Sequence, residues 1–126
     1  MITESEWEWC GYKKHFIGGS SCEFGMSTRI GNWVVSTVGG YQPYKHMNQD
    51  MLKKLDIKNP YEYEDIGHGR KFETMVFGFK KPDCECCTFA ADVSKEHGEY
   101  FGSYNDPHEA RKGHLEICNK LAENND

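Results

Sequence analysis

No stretch of this 126-residue sequence is apolar over a length that could cross a membrane. A transmembrane helix needs about 20 consecutive, mainly apolar residues. The N-terminal stretch MITESEWEWCGYKK opens with acidic residues, whereas a secretory signal carries basic residues followed by an apolar run. We therefore expect no membrane partner and a location in the cytoplasm of a bacterium or of an infected cell.

The chain also lacks an excess of positive charge. It has 15 lysine and arginine residues against 20 aspartate and glutamate residues, which gives a formal net charge of -5. Proteins that bind nucleic-acid backbones generally depend on many Lys and Arg contacts, so general nucleic-acid binding is not expected. The acidic excess is concentrated in residues 82–126, which suits a basic partner as well as a solvated surface.

Common short motifs of nucleotide-binding and hydrolytic sites are missing. The sequence contains no G-x-x-x-x-G-K-[ST] phosphate loop, no G-x-G-x-x-G dinucleotide turn, no H-E-x-x-H zinc motif and no G-x-S-x-G nucleophile motif. These absences favour a binding protein and leave an enzyme as the less favoured alternative.

Several segments rich in β-branched and aromatic residues predict strands. The segments CEFGMSTRI and WVVSTV flank Gly31 and Asn32, a dipeptide typical of a hairpin turn, and the second segment should end at Val38. Residues 70–80 form a nearly continuous apolar run, which indicates an interior strand buried on both faces. The segments TFAADVS and EYFGSY would each add a further strand.

A short helix is predicted near residues 47–55. Met47, Met51 and Leu55 recur at four-residue spacing and would form one apolar stripe that packs on the core. The dipeptide Asn59-Pro60 is expected to end this helix.

The segment 106–122 carries the clearest helical signal. Asp106 can cap the helix, Pro107 suits its first position, and Glu109 completes a pattern that resembles a capping box. One face of the helix should lie on the sheet, and its residues are Ala110, His114, Ile117, Cys118 and Leu121.

The predicted fold class is therefore α+β. A four- to five-stranded, mainly antiparallel sheet packs against the C-terminal helix, and one additional short helix lies outside it. The length suits one domain. We divide this domain, residues 1–126, into an N-terminal extension (1–21), a sheet region with the short helix (22–105) and the C-terminal helix (106–122).

A cysteine cluster could bind zinc. Two thiolates separated by one residue, as in the stretch CECC that starts at Cys84, can hold one metal ion, although the spacing differs from the usual C-x-x-C pair. The alternative is a set of ordinary reduced cysteines, which fits a chain without a secretory signal. The candidate ligands are Cys84, Cys86, Cys87, His97, Cys10 and Cys22.

An aromatic and charged segment before the interior strand is a candidate binding site. Long connections often carry function, and aromatic rings beside a short basic run are used to hold nucleotides or single strands. A plain solvated loop is the alternative. Glu73 could instead pair with Arg29 or Arg70 within the sheet. The candidate binding residues are Tyr61, Tyr63, His68, Arg70, Lys71 and Glu73.

His114 lies on the apolar face of the C-terminal helix. A histidine with an ordinary pKa of about 6.5 could act as a base or a ligand. The preferred interpretation is structural, because a buried imidazole that bonds to a strand hydroxyl such as that of Thr37 or Thr74 would hold the helix on the sheet.

Three motifs occur in a characteristic order: W-V-V-S-T-V from Trp33, F-E-T-M-V-F from Phe72, and E-A-R-K-G-H from Glu109. This succession resembles a family of small uncharacterised bacteriophage and prophage proteins with W-x-V-S-T-V, E-T-M-V-F and E-A-x-x-G-H motifs. The resemblance implies a phage-derived accessory protein, and such proteins are associated with host takeover or with blocking bacterial immunity. It names no ligand and no catalytic residue.

Together these features lead to a functional expectation. We expect a phage-encoded accessory protein that binds a host protein and thereby inhibits a bacterial defence system or host factor. An anti-CRISPR type of action is one form that this inhibition could take. The alternatives are a protein that sequesters a nucleotide signal and a small zinc-stabilised module.

Overall fold

The computed structural model describes residues 2–10, 22–66, 69–82, 85 and 87–124 of the chain. It confirms the α+β class, with five antiparallel strands, two α-helices and a short 3₁₀ turn at Glu4–Glu6 in the described residues. The strands are β1 (Glu8–Cys10), β2 (Cys22–Ile30), β3 (Trp33–Tyr41), β4 (Phe72–Lys80) and β5 (Ala90–Tyr104), and the helices are α1 (Gln49–Lys54) and α2 (Pro107–Asn124).

The strands form a meander in which each strand pairs with its neighbour in sequence, in the order β1-β2-β3-β4-β5. β3 is the middle strand, and Val35 lies between Thr28 of β2 and Val76 of β4. Because side chains alternate along a strand, these three residues share one face of the sheet. Helix α2 packs on that face, which we call the helix face.

The predicted hairpin between β2 and β3 is confirmed, and its turn contains Gly31 with a φ of 61°. β3 does not end at Val38 but continues to Tyr41. Glycine at position 39 permits this continuation, because a Cβ there would collide with the ring of Phe72 on β4. The absent side chain allows close packing where a strand break was expected.

Two expectations about the strands were wrong. EYFGSY and all of TFAADVS from Ala90 onward belong to one strand, β5, which accommodates its extra residues by two register shifts around Phe77. The fifth strand is β1, from the predicted N-terminal extension. Trp7, which precedes β1, is buried in the core against Ile30 and other residues of the helix face. This part of the extension is therefore integral to the sheet.

Helix α1 is shorter than predicted and packs through a different residue. Asn48 caps it by accepting a hydrogen bond from the backbone N–H of Met51 at 2.9 Å. The predicted apolar stripe was wrong: Met51 is 42% exposed and Leu55 is exposed as well, whereas Leu52 is only 8% exposed. In so short a helix one buried side chain sets the orientation.

The start and the buried face of α2 are as predicted. The Asp106 carboxylate accepts a hydrogen bond from the N–H of Glu109 at 2.8 Å, and the helix begins at Pro107. All five residues of the predicted face are buried, together with Gly113 and Ala122. Gly113 is needed for close approach, because a Cβ there would collide with the ring of Tyr104 on β5.

The core lies between the helix face and α2. Trp7, Ile30, Val35 and Val76 meet the apolar residues of α2 there. Val34 and Phe77 face the other side of the sheet and are also buried. The interior position predicted for β4 is therefore correct. Neither helix in the described ranges is both long and apolar enough to span a membrane.

Candidate functional site

A chain of hydrogen bonds lies buried between α2 and the sheet. Nδ1 of His114 lies 2.7 Å from Oγ1 of Thr37 on β3, and its Nε2 lies 2.8 Å from Oγ1 of Thr28 on β2. The Thr37 hydroxyl lies 2.5 Å from that of Thr74 on β4. The buried Cys118 of α2 lies beside Thr28. We call these five residues the His114 network.

Burial determines the protonation of this network. Desolvation lowers the pKa of His114 to about 4, so the ring is neutral at physiological pH. A neutral imidazole donates from one ring nitrogen and accepts at the other, and a threonine hydroxyl can do either, so both nitrogens are satisfied. Burial also raises the pKa of the Cys118 thiol to about 12, which keeps it protonated and unreactive.

These contacts confirm the structural interpretation of His114. Thr37 is a direct partner, as predicted, and Thr74 joins through Thr37. The sequence did not identify Thr28 or Cys118 as members. Thr28 lies opposite Val35 in the hairpin register, so the strand pairing brings its hydroxyl to the helix face. The network holds three strands and one helix together.

The aromatic segment between α1 and β4 is exposed but anchored. Tyr61 is 62% exposed, yet its backbone carbonyl accepts a hydrogen bond from Nε2 of Gln42 at 2.9 Å. Three residues later, Glu64 pairs with Tyr41 at the end of β3 through an antiparallel bridge. The exposed ring of Tyr63 lies between these two anchors. The rings are therefore presented by a backbone whose position is fixed.

The basic residues of this segment follow the tyrosines in the chain, and one of them, Lys71, contacts Tyr63. Lys71 donates from Nζ to the backbone carbonyl of Tyr63 at 3.3 Å, and its ammonium lies 3.4 Å from the Asp65 carboxylate. The exposed residue Arg70 accepts a hydrogen bond at its carbonyl from the N–H of Ile66. We call the surface formed by Tyr61, Tyr63, Arg70 and Lys71 the tyrosine surface.

The sequence did not identify Gln42, whose buried side chain holds the backbone of the tyrosine surface through a hydrogen bond. Its side chain is 6% exposed, and its amide nitrogen holds the Tyr61 carbonyl. Within the described ranges, Oε1 of Gln42 has no hydrogen-bond partner. A glutamine beside a proline in a predicted loop gave no sign of burial.

The chain matches no protein-family model, no curated protein and no solved structure.

Two predicted binding residues do not belong to the described tyrosine surface. Glu73 is partly buried within β4, on the face of the sheet opposite α2. Arg29 lies level with Phe77, roughly 13 Å along the sheet from Glu73 at about 3.3 Å per residue. The alternative pairing of Glu73 with Arg29 is therefore wrong. His68 lies outside the described residues.

Arg29 has partners of its own. Its guanidinium lies 3.6 Å from the centre of the Phe79 ring and 3.3 Å from the Glu8 carboxylate, and Nε donates to the carbonyl of Gly31 at 2.8 Å. These contacts join β1 to β2 and β4. They also bound a shallow hollow, which is lined by Ile2, Glu6, Glu8, Arg29 and Gly31.

The proposed zinc ligands are only partly described. Cys84 and Cys86 lie outside the described residues, and Cys87 is partly buried. In the described part of the chain, no three potential ligands come together as a metal site. Zinc binding by Cys84, Cys86 and Cys87 stays a prediction.

The other three candidate ligands lie on β1, β2 and β5. Cys10 pairs with Ser27 in the strand register, and Cys22 pairs with Tyr41. Zinc binding by these residues stays a prediction as well. The ring of His97 packs against Trp33, with 4.5 Å between centroids, and against Tyr100.

Proposed function

We propose that this chain is a phage-encoded accessory protein that binds a bacterial host protein and thereby inhibits a defence system or host factor in the host cytoplasm. The resemblance to phage and prophage proteins supports the source and the general role. The tyrosine surface supports the mode of action, which is occupation of a partner's surface.

The exposure of Tyr61 on an anchored backbone carries this proposal. Tyrosine and arginine are enriched among the residues that dominate binding energy at protein interfaces. An exposed ring normally loses conformational freedom on binding, and a backbone fixed by Gln42 reduces that cost. The tyrosine surface therefore has the residue types of a protein interface, and its backbone is held in place before a partner binds.

A nucleotide is the second candidate ligand, because two exposed rings beside basic residues can stack on a base. The position of Lys71 favours a protein partner over a nucleotide. Its ammonium is already shared between the Tyr63 carbonyl and the Asp65 carboxylate, which reduces its capacity to bind a phosphate. Of the four residues of the tyrosine surface, Arg70 alone would then neutralise the ligand, in a chain with a net charge of -5.

Capture from host lysate tests the proposal. Immobilised wild-type protein should retain a host protein in stoichiometric amount, and Tyr61→Ala should reduce that retention. Met51→Ala, a change at an exposed residue of α1, is the control and should retain as much as the wild type. Equal capture by Tyr61→Ala and wild type, or no stoichiometric capture at all, would contradict the proposal.

Thermal unfolding with added nucleotides distinguishes the second candidate. A ligand that binds only the folded state raises Tm as its concentration exceeds Kd. A Tm increase with a saturating nucleotide that disappears in Tyr61→Ala would favour nucleotide sequestration. Unchanged Tm with every nucleotide would remove that candidate and leave the protein-binding proposal intact.

A further inference from the structure

Two carboxylates on the segment that carries the tyrosines have no partner among the described residues. Glu62 and Glu64 each follow one of the two tyrosines in the chain, and both are exposed. The ion pairs of the described ranges use other carboxylates, those of Glu8 and Asp65. The backbone N–H of Glu64 donates to the carbonyl of Tyr41 at 2.9 Å, so the backbone that carries this carboxylate is held in place.

The charge balance of this segment favours a cation. The ammonium of Lys71 lies 3.4 Å from the Asp65 carboxylate, and these two opposite charges offset each other. The carboxylates of Glu62 and Glu64 are then balanced only in part by the guanidinium of the exposed Arg70. In a chain with a net charge of -5, this excess of negative charge attracts a positively charged ligand.

A buried acceptor beneath the same segment points to a hydrogen-bond donor. Gln42 is 6% exposed, and its amide nitrogen donates to the carbonyl of Tyr61 at 2.9 Å. The amide oxygen Oε1 is bonded to the same carbon atom, so it lies close to the Tyr61 backbone. It has no hydrogen-bond partner within the described ranges. A buried acceptor without a donor costs free energy, so a donor that a ligand supplies is favoured.

A cationic side chain has the properties that these groups require. Arginine and lysine carry several N–H donors and no acceptor, and they form charge-assisted hydrogen bonds with carboxylates. They also bind against the faces of aromatic rings, and the ring of Tyr61 is 62% exposed. An anionic ligand would instead be repelled by Glu62 and Glu64.

We propose that the tyrosine surface binds a basic patch of the host protein, whose arginine or lysine side chains pair with Glu62 and Glu64, lie against Tyr61 and donate to Oε1 of Gln42. This inference rests on the proposed function, because it names the chemistry of the partner at the same surface. A nucleic-acid-binding surface of a host protein has this chemistry, since such surfaces cluster lysine and arginine residues.

Nuclear magnetic resonance locates the basic ligand on the full, isotope-labelled chain. The probe is a hexa-arginine peptide with blocked ends. It should shift the backbone signals of residues 61–64 and the side-chain amide signal of Gln42, whereas a hexa-glutamate peptide should leave them unchanged. Shifts that are confined to other acidic parts of the chain would overturn the inference.

A matched pair of variants tests the two carboxylates. The double variant Glu62→Gln/Glu64→Gln should lose the shifts caused by the hexa-arginine peptide. The double variant Glu116→Gln/Glu123→Gln removes the same number of charges from exposed positions on α2 and should retain them. Circular dichroism checks that both variants keep the fold. Equal shifts in the two variants would overturn the inference.

Titration of the captured host protein separates this inference from the proposed function. For the wild type, Kd should increase with salt, because salt screens exposed charges. At low salt, Glu62→Gln/Glu64→Gln should raise Kd by at least about threefold. A captured protein whose Kd depends on Tyr61, but neither on salt nor on the two carboxylates, would overturn this inference alone. Failure to capture any host protein would contradict the proposed function and this inference with it.

Discussion

Nδ1 of His114 lies 2.7 Å from the hydroxyl oxygen of Thr37, although 77 residues separate them in sequence. The contact joins the middle strand of the sheet to the only long helix in the described ranges. Because both residues are fully buried, loss of either partner leaves a polar group without water. This contact explains why a histidine occurs on an otherwise apolar helix face.

Stability should fall in acid because of His114. In the folded protein the ring stays neutral down to its pKa of about 4, whereas in the unfolded chain it binds a proton near 6.5. Between these values the unfolded state binds more protons, so the free energy of unfolding decreases as pH falls from 6.5 to about 4. The full effect is roughly 3 kcal/mol. Urea unfolding across this range measures it.

His114→Gln is the matched variant for this experiment, because glutamine can donate and accept but does not titrate in this range. The stability advantage of the wild type over the variant should shrink on acidification. A difference that stays constant between about pH 7 and pH 4.5 would contradict the role assigned to the buried ring.

Removal of the Thr37 hydroxyl should cost more than removal of the Thr74 hydroxyl. Thr37 bonds to both His114 and Thr74, whereas Thr74 bonds to Thr37 in the His114 network. Thr37→Val should lower the free energy of unfolding by about 1–3 kcal/mol, since it leaves a buried ring nitrogen unsatisfied. Chemical denaturation measures both changes. Thr88→Val, at an exposed position, is the control, and an equal loss there would show that the effect is not specific.

Close packing of α2 on β5 should make Gly113 intolerant of a side chain. A Cβ at this position would collide with the Tyr104 ring. Gly113→Ala should therefore destabilise the protein by about 1–3 kcal/mol, as expected for overpacking. Gly98→Ala, where a Cβ has open space, should change Tm little. Partial rescue of Gly113→Ala by Tyr104→Leu would identify the ring as the cause; additive losses would contradict it.

The revised orientation of α1 can be tested with adjacent residues. Leu52→Ala removes a buried side chain and should cost about 2 kcal/mol or more. Met51→Ala removes an exposed one and should change stability by less than about 0.5 kcal/mol. If thermal unfolding showed a larger loss of stability for Met51→Ala than for Leu52→Ala, the apolar stripe predicted from the sequence would be correct instead.

Local signals in the sequence predicted the fold where neighbouring residues decide the structure. The turn at Gly31 and the cap at Asp106 depend on nearby atoms only, and both are present. β1 was not predicted because three residues carry too little pattern, and its place in the sheet depends on contacts of Trp7 with distant residues. Tertiary packing also decided which residue of α1 is buried.

For the candidate site, too, the sequence identified residues by their type but not the contacts between distant parts of the chain. Composition alone identified Tyr61, Tyr63 and Lys71 as candidates; the structure joins Lys71 to the Tyr63 carbonyl and Gln42 to the Tyr61 carbonyl. The support from Gln42 depends on a contact across 19 residues, which no local pattern reveals. Glu73 was a candidate because a carboxylate within an apolar strand needs a partner or a ligand, and strand alternation places it on the sheet face opposite α2.

Titration of the purified captured host protein measures most directly whether the tyrosine surface is its binding site. The double variant Tyr61→Ala/Tyr63→Ala should raise Kd by at least about 30-fold, which corresponds to a loss of about 2 kcal/mol typical of interface hot spots. The double variant Met51→Ala/Leu55→Ala, which truncates exposed side chains on α1, should bind like the wild type. An unchanged Kd for the tyrosine variant, with its fold intact, would contradict the account.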